Sequence, residues 1–289
     1  MSSEPPPLQT FNCHCGSIKF SVHNDLSQIS DCTCSICTKT GRMHIRASSS
    51  PSVPGSFHLA WHSPASSEAA ALPHLSSYSF GSNRLITDFC PTCGCHIRVR
   101  LAPTDTNADT PTRALNVRMI QALEPWSFET TETLTAPAKF PPAYIEPEFK
   151  GTNFTDEELG GGKVKYQGSC HCGAVTLSLR TRPLSELMIR ECNCSLCWRK
   201  ALIHCPVENQ EDVRVSGVKE AVVVYKPEKL NQGLFCMNCG VQVVTRGQNG
   251  NVYAVNLRTM HGVDWEEVEV GRAKGRELSP EYKVGGEAT

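Results

Sequence analysis

The stretch SCHCGAVTLSL, residues 169–179, decides the fold. Cys170 and Cys172 stand one residue apart, a glycine follows, and then Val175, Leu177 and Leu179 recur at every second position. A period of two is the mark of a half-buried β-strand. On an extended backbone, side chains at i and i+2 share a face, so the two thiols point the same way and can chelate together. The stretch therefore reads as a metal-chelating hook that runs into a strand. It occurs a second time as NCHCGSIKFSV, residues 12–22, with Cys13 and Cys15 ahead of Ile18, Phe20 and Val22.

Three further blocks follow in the same order in both copies. DCTCSICTK (31–39) matches ECNCSLCWR (191–199), DFCPTCG (88–94) matches LFCMNCG (234–240), and ALNVRM (114–119) matches AVNLRT (254–259). Four blocks in one order, twice, make a tandem duplication. The repeat is too long for a solenoid unit, so each copy is expected to be a globular domain. The expected boundaries are 8–135 and 164–275, joined by a proline-, glycine- and charge-rich linker or strap at 136–163. HIRVRL, AVVVYK, VQVVTR and VYAVNL are short and β-branched, and long amphipathic helical periodicity is absent. Each domain is thus expected to be a small, mostly β unit with few or no long helices. The Ser/Pro/Ala-rich middle of the first copy (48–77) reads as a surface loop, and the tail after about 272 as loosely ordered.

The chain has 289 residues, a net charge of -1 and 16 cysteines. Balanced charge gives no broad field for nucleic acid or membranes. No secretory signal or run of about 18 apolar residues is visible, so no membrane span is expected. The expected compartment is the cytoplasm, with the nucleus as the alternative. Reduced thiols there favour metal over disulfides.

CPTCG and CMNCG have zinc-knuckle spacing, in which Gly94 and Gly240 tolerate the backbone that such a turn needs. Paired with the CxC hooks, they give one four-cysteine site per copy: Cys13, Cys15, Cys90 and Cys93, then Cys170, Cys172, Cys236 and Cys239. Three cysteines remain in each: Cys32, Cys34 and Cys37, then Cys192, Cys194 and Cys197. Three thiolates and a vacancy have the coordination logic of a catalytic zinc, open to an incoming ligand such as a thiol. The plainer alternative is a structural site whose fourth position a side chain fills. His44 and His204, each seven residues past the last cysteine of the cluster, are candidates for that ligand, for a base, or for ordinary strand residues. Cys95 and Cys205 read as spare buried thiols.

The ordered set CHCG, CxCSxC and FCxxCG resembles the glutathione-dependent formaldehyde-activating enzyme and centromere protein V family, in both halves of the chain. The resemblance implies an Mss4-like zinc-bearing β fold. It implies structural zinc at each four-cysteine site and catalytic zinc at each three-cysteine site, two per domain and about four per chain. It also implies a carbon–sulfur lyase-type reaction joining or parting a small-molecule thiol such as glutathione and an aldehyde such as formaldehyde. For that reaction, His44, His204, Tyr78 and Tyr225 are the candidate proton donors. Arg118 and Arg258 would grip a peptide carboxylate or, more plainly, lie on strand surfaces. The fused copies would mimic a dimer within a monomeric chain. The other class of function is a non-catalytic, zinc-stabilised binding or scaffold protein like the centromere-associated relatives.

Overall fold

A computed structural model describes residues 5–46, 57–103, 112–121, 123–127, 129–135, 143–227, 231–278 and 281–284. Residues 48–56 of the expected surface loop and 136–142 of the expected linker lie outside them. The chain divides into two compact units, one of Met1–Thr38, Arg42–Ala143 and Lys283–Thr289, the other of Lys39–Gly41 and Tyr144–Tyr282.

The first unit is built of β1 (Leu8–Asn12), β2 (Lys19–His23), β3 (Ser30–Cys32), β4 (His44–Arg46), β5 (Ala60–Ser63), β6 (Ser76–Ser79), β7 (Leu85–Phe89), β8 (His96–Leu101), β9 (Thr112–Asn116) and β10 (Glu132–Leu134). Two short helices, α1 (Ser35–Thr40) and α2 (Glu68–Ala71), interrupt them. The strands make a three-stranded sheet, β1-β2-β5, and a seven-stranded sheet, β10-β3-β4-β9-β8-β7-β6. Neighbours run antiparallel except β10, which lies parallel to β3.

The second unit has β11 (Val164–Ser169), β12 (Thr176–Thr181), β13 (Ile189–Cys192), β14 (Ile203–Pro206), β15 (Val213–Ser216), β16 (Val222–Tyr225), β17 (Gln232–Cys236), β18 (Gln242–Arg246), β19 (Val252–Asn256) and β20 (Val270–Ala273), with α3 (Ser195–Arg199) and α4 (Val218–Ala221). Its sheets, β11-β12-β15 and β20-β13-β14-β19-β18-β17-β16, repeat the first unit's order strand for strand. Both units are mostly β, and the α-helices run only four to six residues. Among the described residues no helix is long and apolar enough to cross a membrane.

The alternating hydrophobics supply the cores. Ile18, Phe20 and Val22 are buried in one unit, and Val175, Leu177 and Leu179 in the other. Phe20 stacks on Phe11 with ring centroids 5.1 Å apart and meets Trp61 at the same distance. At about 25 cal/mol per Å² of apolar surface, such small cores leave room for metal crosslinks to matter.

Two expectations are corrected. The described part of 48–77 is not simply a surface loop: Ala60–Ser63 pairs with β2, and Trp61 is buried beneath it. The tail stays ordered past 272, through residue 278. The last residues of β20 pair with β13 through Ala273, and Gly275–Glu277 makes a 3-10 turn whose Arg276 bonds to Asn193. Ahead of β11, the chain packs as a strap. Phe154 is buried between Arg214 and Arg180, and the Lys150 amide donates to Thr176 Oγ1.

Candidate metal centres

The cysteines gather into four clusters, and in each the sulfurs lie within 4.8 Å of one another. Two clusters have four members. The hook after β1 brings Cys13 and Cys15, and the turn between β7 and β8 brings Cys90 and Cys93. In the second unit the hook after β11 brings Cys170 and Cys172, and the turn between β17 and β18 brings Cys236 and Cys239. Each cluster therefore ties a hairpin of the small sheet to a hairpin of the large one. Sulfur separations of 3.5 Å (Cys13–Cys15) and 3.6 Å (Cys15–Cys90) recur as 3.6 Å (Cys170–Cys172) and 3.5 Å (Cys172–Cys236). A tetrahedron of Zn–S bonds near 2.3 Å has edges of about 3.8 Å, so the donor set fits zinc.

Local backbone explains the geometry. Gly94 and Gly240 take φ of 69° and 73°, and their amides close the knuckles onto the Cys90 and Cys236 carbonyls at 2.8 Å. The Ile18 and Val175 amides donate to the Cys13 and Cys170 sulfurs at 3.3 and 3.2 Å, orienting a ligand from behind. Ser17 lies 3.0 Å from the Cys15 sulfur and 3.4 Å from that of Cys90, a contact that Ala174 cannot reproduce in the second unit.

The other two clusters have three members. Cys32 ends β3, Cys34 precedes α1 and Cys37 lies within it. Cys192 ends β13, Cys194 caps α3 and Cys197 lies within that helix. The short helix winds the second and third thiols back toward the strand end. The Cys34 amide donates to Cys32 Sγ (3.5 Å), and the Cys194 amide to Cys192 Sγ (3.4 Å). The thiols also share protons unevenly. Hydrogen bonds from Cys32 and Cys37 pull Cys34 down to about 2, whereas those from Cys194 and Cys197 pull Cys192 down to about 2. Contact with the neighbouring sulfurs, together with burial, pushes Cys37 and Cys197 up. In each trio one thiol is thus pushed toward the thiolate, the form a soft or borderline metal binds.

His44 and His204 come to these trios as equivalents. His44 Nε2 lies 3.5 Å from Cys37 Sγ, and His204 Nε2 lies 3.2 Å from Cys197 Sγ. Neither nitrogen joins the set of ligand atoms lying mutually within 4.8 Å, so each imidazole touches one ligand from the side. Burial, with Arg42 adding to it, lowers His44 to about 3, and burial lowers His204 too. Both are therefore neutral imidazoles at neutral pH. His44 Nδ1 has no hydrogen-bond partner. His204 lies tilted beside the exposed ring of Tyr253 at 6.2 Å.

The structure does not bring Tyr78 and Tyr225 to the trios. They sit on β6 and β16, the sheet edges opposite β3 and β13 and five strands away from them. Their place on an edge strand follows from sheet order, which spacing in the sequence does not reveal. Arg118 and Arg258 are not surface strand residues. Both lie in 3-10 turns after β9 and β19; Arg118 is buried, and Arg258 Nε donates to the Ala201 carbonyl at 2.9 Å. Cys95 and Cys205 are fully buried outside the clusters, and burial raises Cys205 to about 12.

Two neighbours of the trios carried no assignment in the sequence. Arg42 Nη2 donates to Cys37 Sγ at 3.3 Å, and its Nη1 donates to Thr87 Oγ1. The signal for it was an arginine in register with Leu202 of the other copy. Gly275 lies so close to the second trio that a Cβ there would stand 2.4 Å from Cys192 Sγ. Arg276 pins that approach through its amide to Asn193 Oδ1 (2.9 Å) and its Nε to the Asn193 carbonyl (3.0 Å).

Comparison with known proteins adds a family. Residues 165–271 match the family described as glutathione-dependent formaldehyde-activating enzyme. Among solved structures, a Rhodobacter sphaeroides protein from a structural genomics effort is 28% identical in a match covering 37% of this chain and 99% of that one, with a TM-score of 0.31.

Proposed function

We propose that the chain is a zinc-dependent carbon–sulfur lyase-type enzyme that forms or cleaves the adduct between a thiol, glutathione or a close relative, and a small aldehyde such as formaldehyde. The observation that carries this reading is the trio of cysteine sulfurs, with no fourth cysteine in its ligand set and a neutral histidine at its edge. The family match at 165–271 supports the choice of thiol and aldehyde.

The four-cysteine clusters take the structural role and the trios the catalytic one, with the zinc ligands Cys32, Cys34 and Cys37 in one unit and Cys192, Cys194 and Cys197 in the other. Zinc held by these cysteines would supply Lewis acidity and favour the deprotonated form of a substrate thiol. The protein's own groups do the rest. The His44 and His204 imidazoles, kept neutral by burial, stand with Nε2 beside the Cys37 and Cys197 sulfurs, where an Nε2–H donates to the ligand sulfur and orients it. In the forward direction the S–C bond forms and the carbonyl π bond breaks. The proton leaves the thiol and ends on the new hydroxyl oxygen. No oxidant or reductant enters. Tyr78 and Tyr225, five strands away, take no part in this reading.

The test is the rate of S-hydroxymethyl adduct formation from glutathione and formaldehyde above the uncatalysed background. It is measured on zinc-loaded protein and on the doubly substituted Cys34→Ser/Cys194→Ser chain. Catalysis by the trios predicts an excess rate that the double substitution abolishes while the four-cysteine clusters keep their metal. An equal rate in both proteins would defeat the reading.

A further inference from the structure

The two trios have different surroundings. Gly41 and Ala201 both take left-handed backbone (φ 55° and 49°), which fixes the register, and the next residue is Arg42 in one copy and Leu202 in the other. Arg42 is only 3% exposed, yet no carboxylate pairs with it among the described residues. Its contacts are Cys37 Sγ and Thr87 Oγ1, and its Nε has no partner. Leu202 is as deeply buried and carries no charge. No guanidinium or ammonium donates to the sulfurs of Cys192, Cys194 or Cys197 among the described residues; the Cys197 sulfur meets His204 instead. Lys200, buried just past α3, turns its ammonium to Gln242 Oε1 at 2.7 Å and to the Phe235 ring.

A buried guanidinium without a counter-charge is costly. Three thiolates around Zn²⁺ sum to a charge of −1, which Arg42 cancels in the first copy and Leu202 leaves standing in the second. An anionic fourth ligand then brings the first centre to −1 and the second to −2. A neutral one leaves them at zero and −1.

We infer that the two centres select different fourth ligands: the first, counter-charged by Arg42, takes an anion such as a thiolate, and the second takes a neutral ligand such as water or a carbonyl oxygen. This rests on the proposed function only in naming the thiolate as the natural anion. Arg42 acts here as a positioning residue, through Cys37.

Cobalt-loaded protein tests it, with Cys194→Ser isolating the first centre and Cys34→Ser the second. Azide serves as the anionic probe, imidazole as the neutral one and glutathione as the thiol, each followed by the cobalt absorption bands. Azide should bind the first centre at least about tenfold tighter than the second, and imidazole should reverse the preference. Arg42→Leu should erase the azide preference and weaken metal retention at the first centre against a chelator by about 10–100-fold. Arg42→Lys should keep most of both. Metal at Cys13, Cys15, Cys90 and Cys93 reports that each variant is folded.

Equal azide affinity at the two centres would overturn the inference. So would an Arg42→Leu chain that behaves as wild type, or an Arg42→Lys chain that fails as badly as Arg42→Leu, since packing rather than charge would then be at work. If azide discriminates between the centres and glutathione binds neither, the counter-charge stands and the thiol reading of the proposed function falls.

Discussion

Gly275→Ala asks which gives way, the metal ligand or the chain that covers it. The new Cβ would lie 2.4 Å from Cys192 Sγ and 2.9 Å from Cys194 Cβ. Ordinary contact needs about 3.6 Å, so something must move by roughly 1.2 Å. Moving the cysteine takes its sulfur far outside the tolerance of about 0.2 Å for a zinc ligand and forfeits a share of the binding energy, on the order of 3 kcal/mol per ligand. Moving the 274–278 segment, with Ala273 left bonded to the Asn193 amide, breaks the two Arg276–Asn193 hydrogen bonds, now 2.9 and 3.0 Å, at about 1 kcal/mol each. The segment is the cheaper to move, by about 1 kcal/mol. Gly275→Ala should therefore keep its metal and release the cover. A loss of about 2 kcal/mol raises the open population about 30-fold. Tryptic cleavage at Lys274 and Arg276, which tracks that population when reclosing is fast, should rise by a similar factor. Loss of one metal with unchanged cleavage would refute the reasoning, because the ligand would then have been the weaker partner.

Other outcomes follow from the same geometry. Cys172→Ser should unfold the second unit, because it opens the cluster that ties β11–β12 to β17–β18, whereas Cys194→Ser should remove one metal and leave circular dichroism intact. Phe154→Ala should cost about 3–5 kcal/mol in chemical denaturation, since the ring is 2% exposed and lies 4.0 Å from the Arg214 guanidinium. The buried His44 has a folded value of about 3, below the unfolded value of about 6.5. Its contribution to stability is thus complete above 6.5 and is lost as pH falls toward 3. Between pH 7 and pH 5 the loss is about 2 kcal/mol, a slope that His44→Gln should remove in parallel melts.

Much of this was legible because two signals are local. The period-two runs placed Ile18, Phe20 and Val22, and Val175, Leu177 and Leu179, on buried faces, and cysteine spacing alone divided fourteen thiols into the four clusters found. The parts that were not legible depend on long-range pairing. β20 is a parallel strand beside β13, held by main-chain hydrogen bonds that leave no side-chain signature in a charged tail. The strand at Ala60–Ser63 hides in a Ser/Pro/Ala-rich stretch for the same reason. Tyr78 and Tyr225 are near the cysteine motifs in no sense that sequence spacing conveys, because sheet order carries them five strands off. Arg98 looks like the polar half of an alternating strand. It is in fact fully buried, paired with Asp88 (2.8 Å) and Glu68 (2.6 Å) from elements that only the fold assembles.

The central claim is that both kinds of cluster are metal centres, and elemental analysis of zinc per chain on purified, reduced protein tests it most directly. The account predicts about four zinc ions, one for each cluster. A value of about two, unchanged by Cys34→Ser and Cys194→Ser, would contradict it, for the trios would then be free thiols and zinc catalysis would have no site.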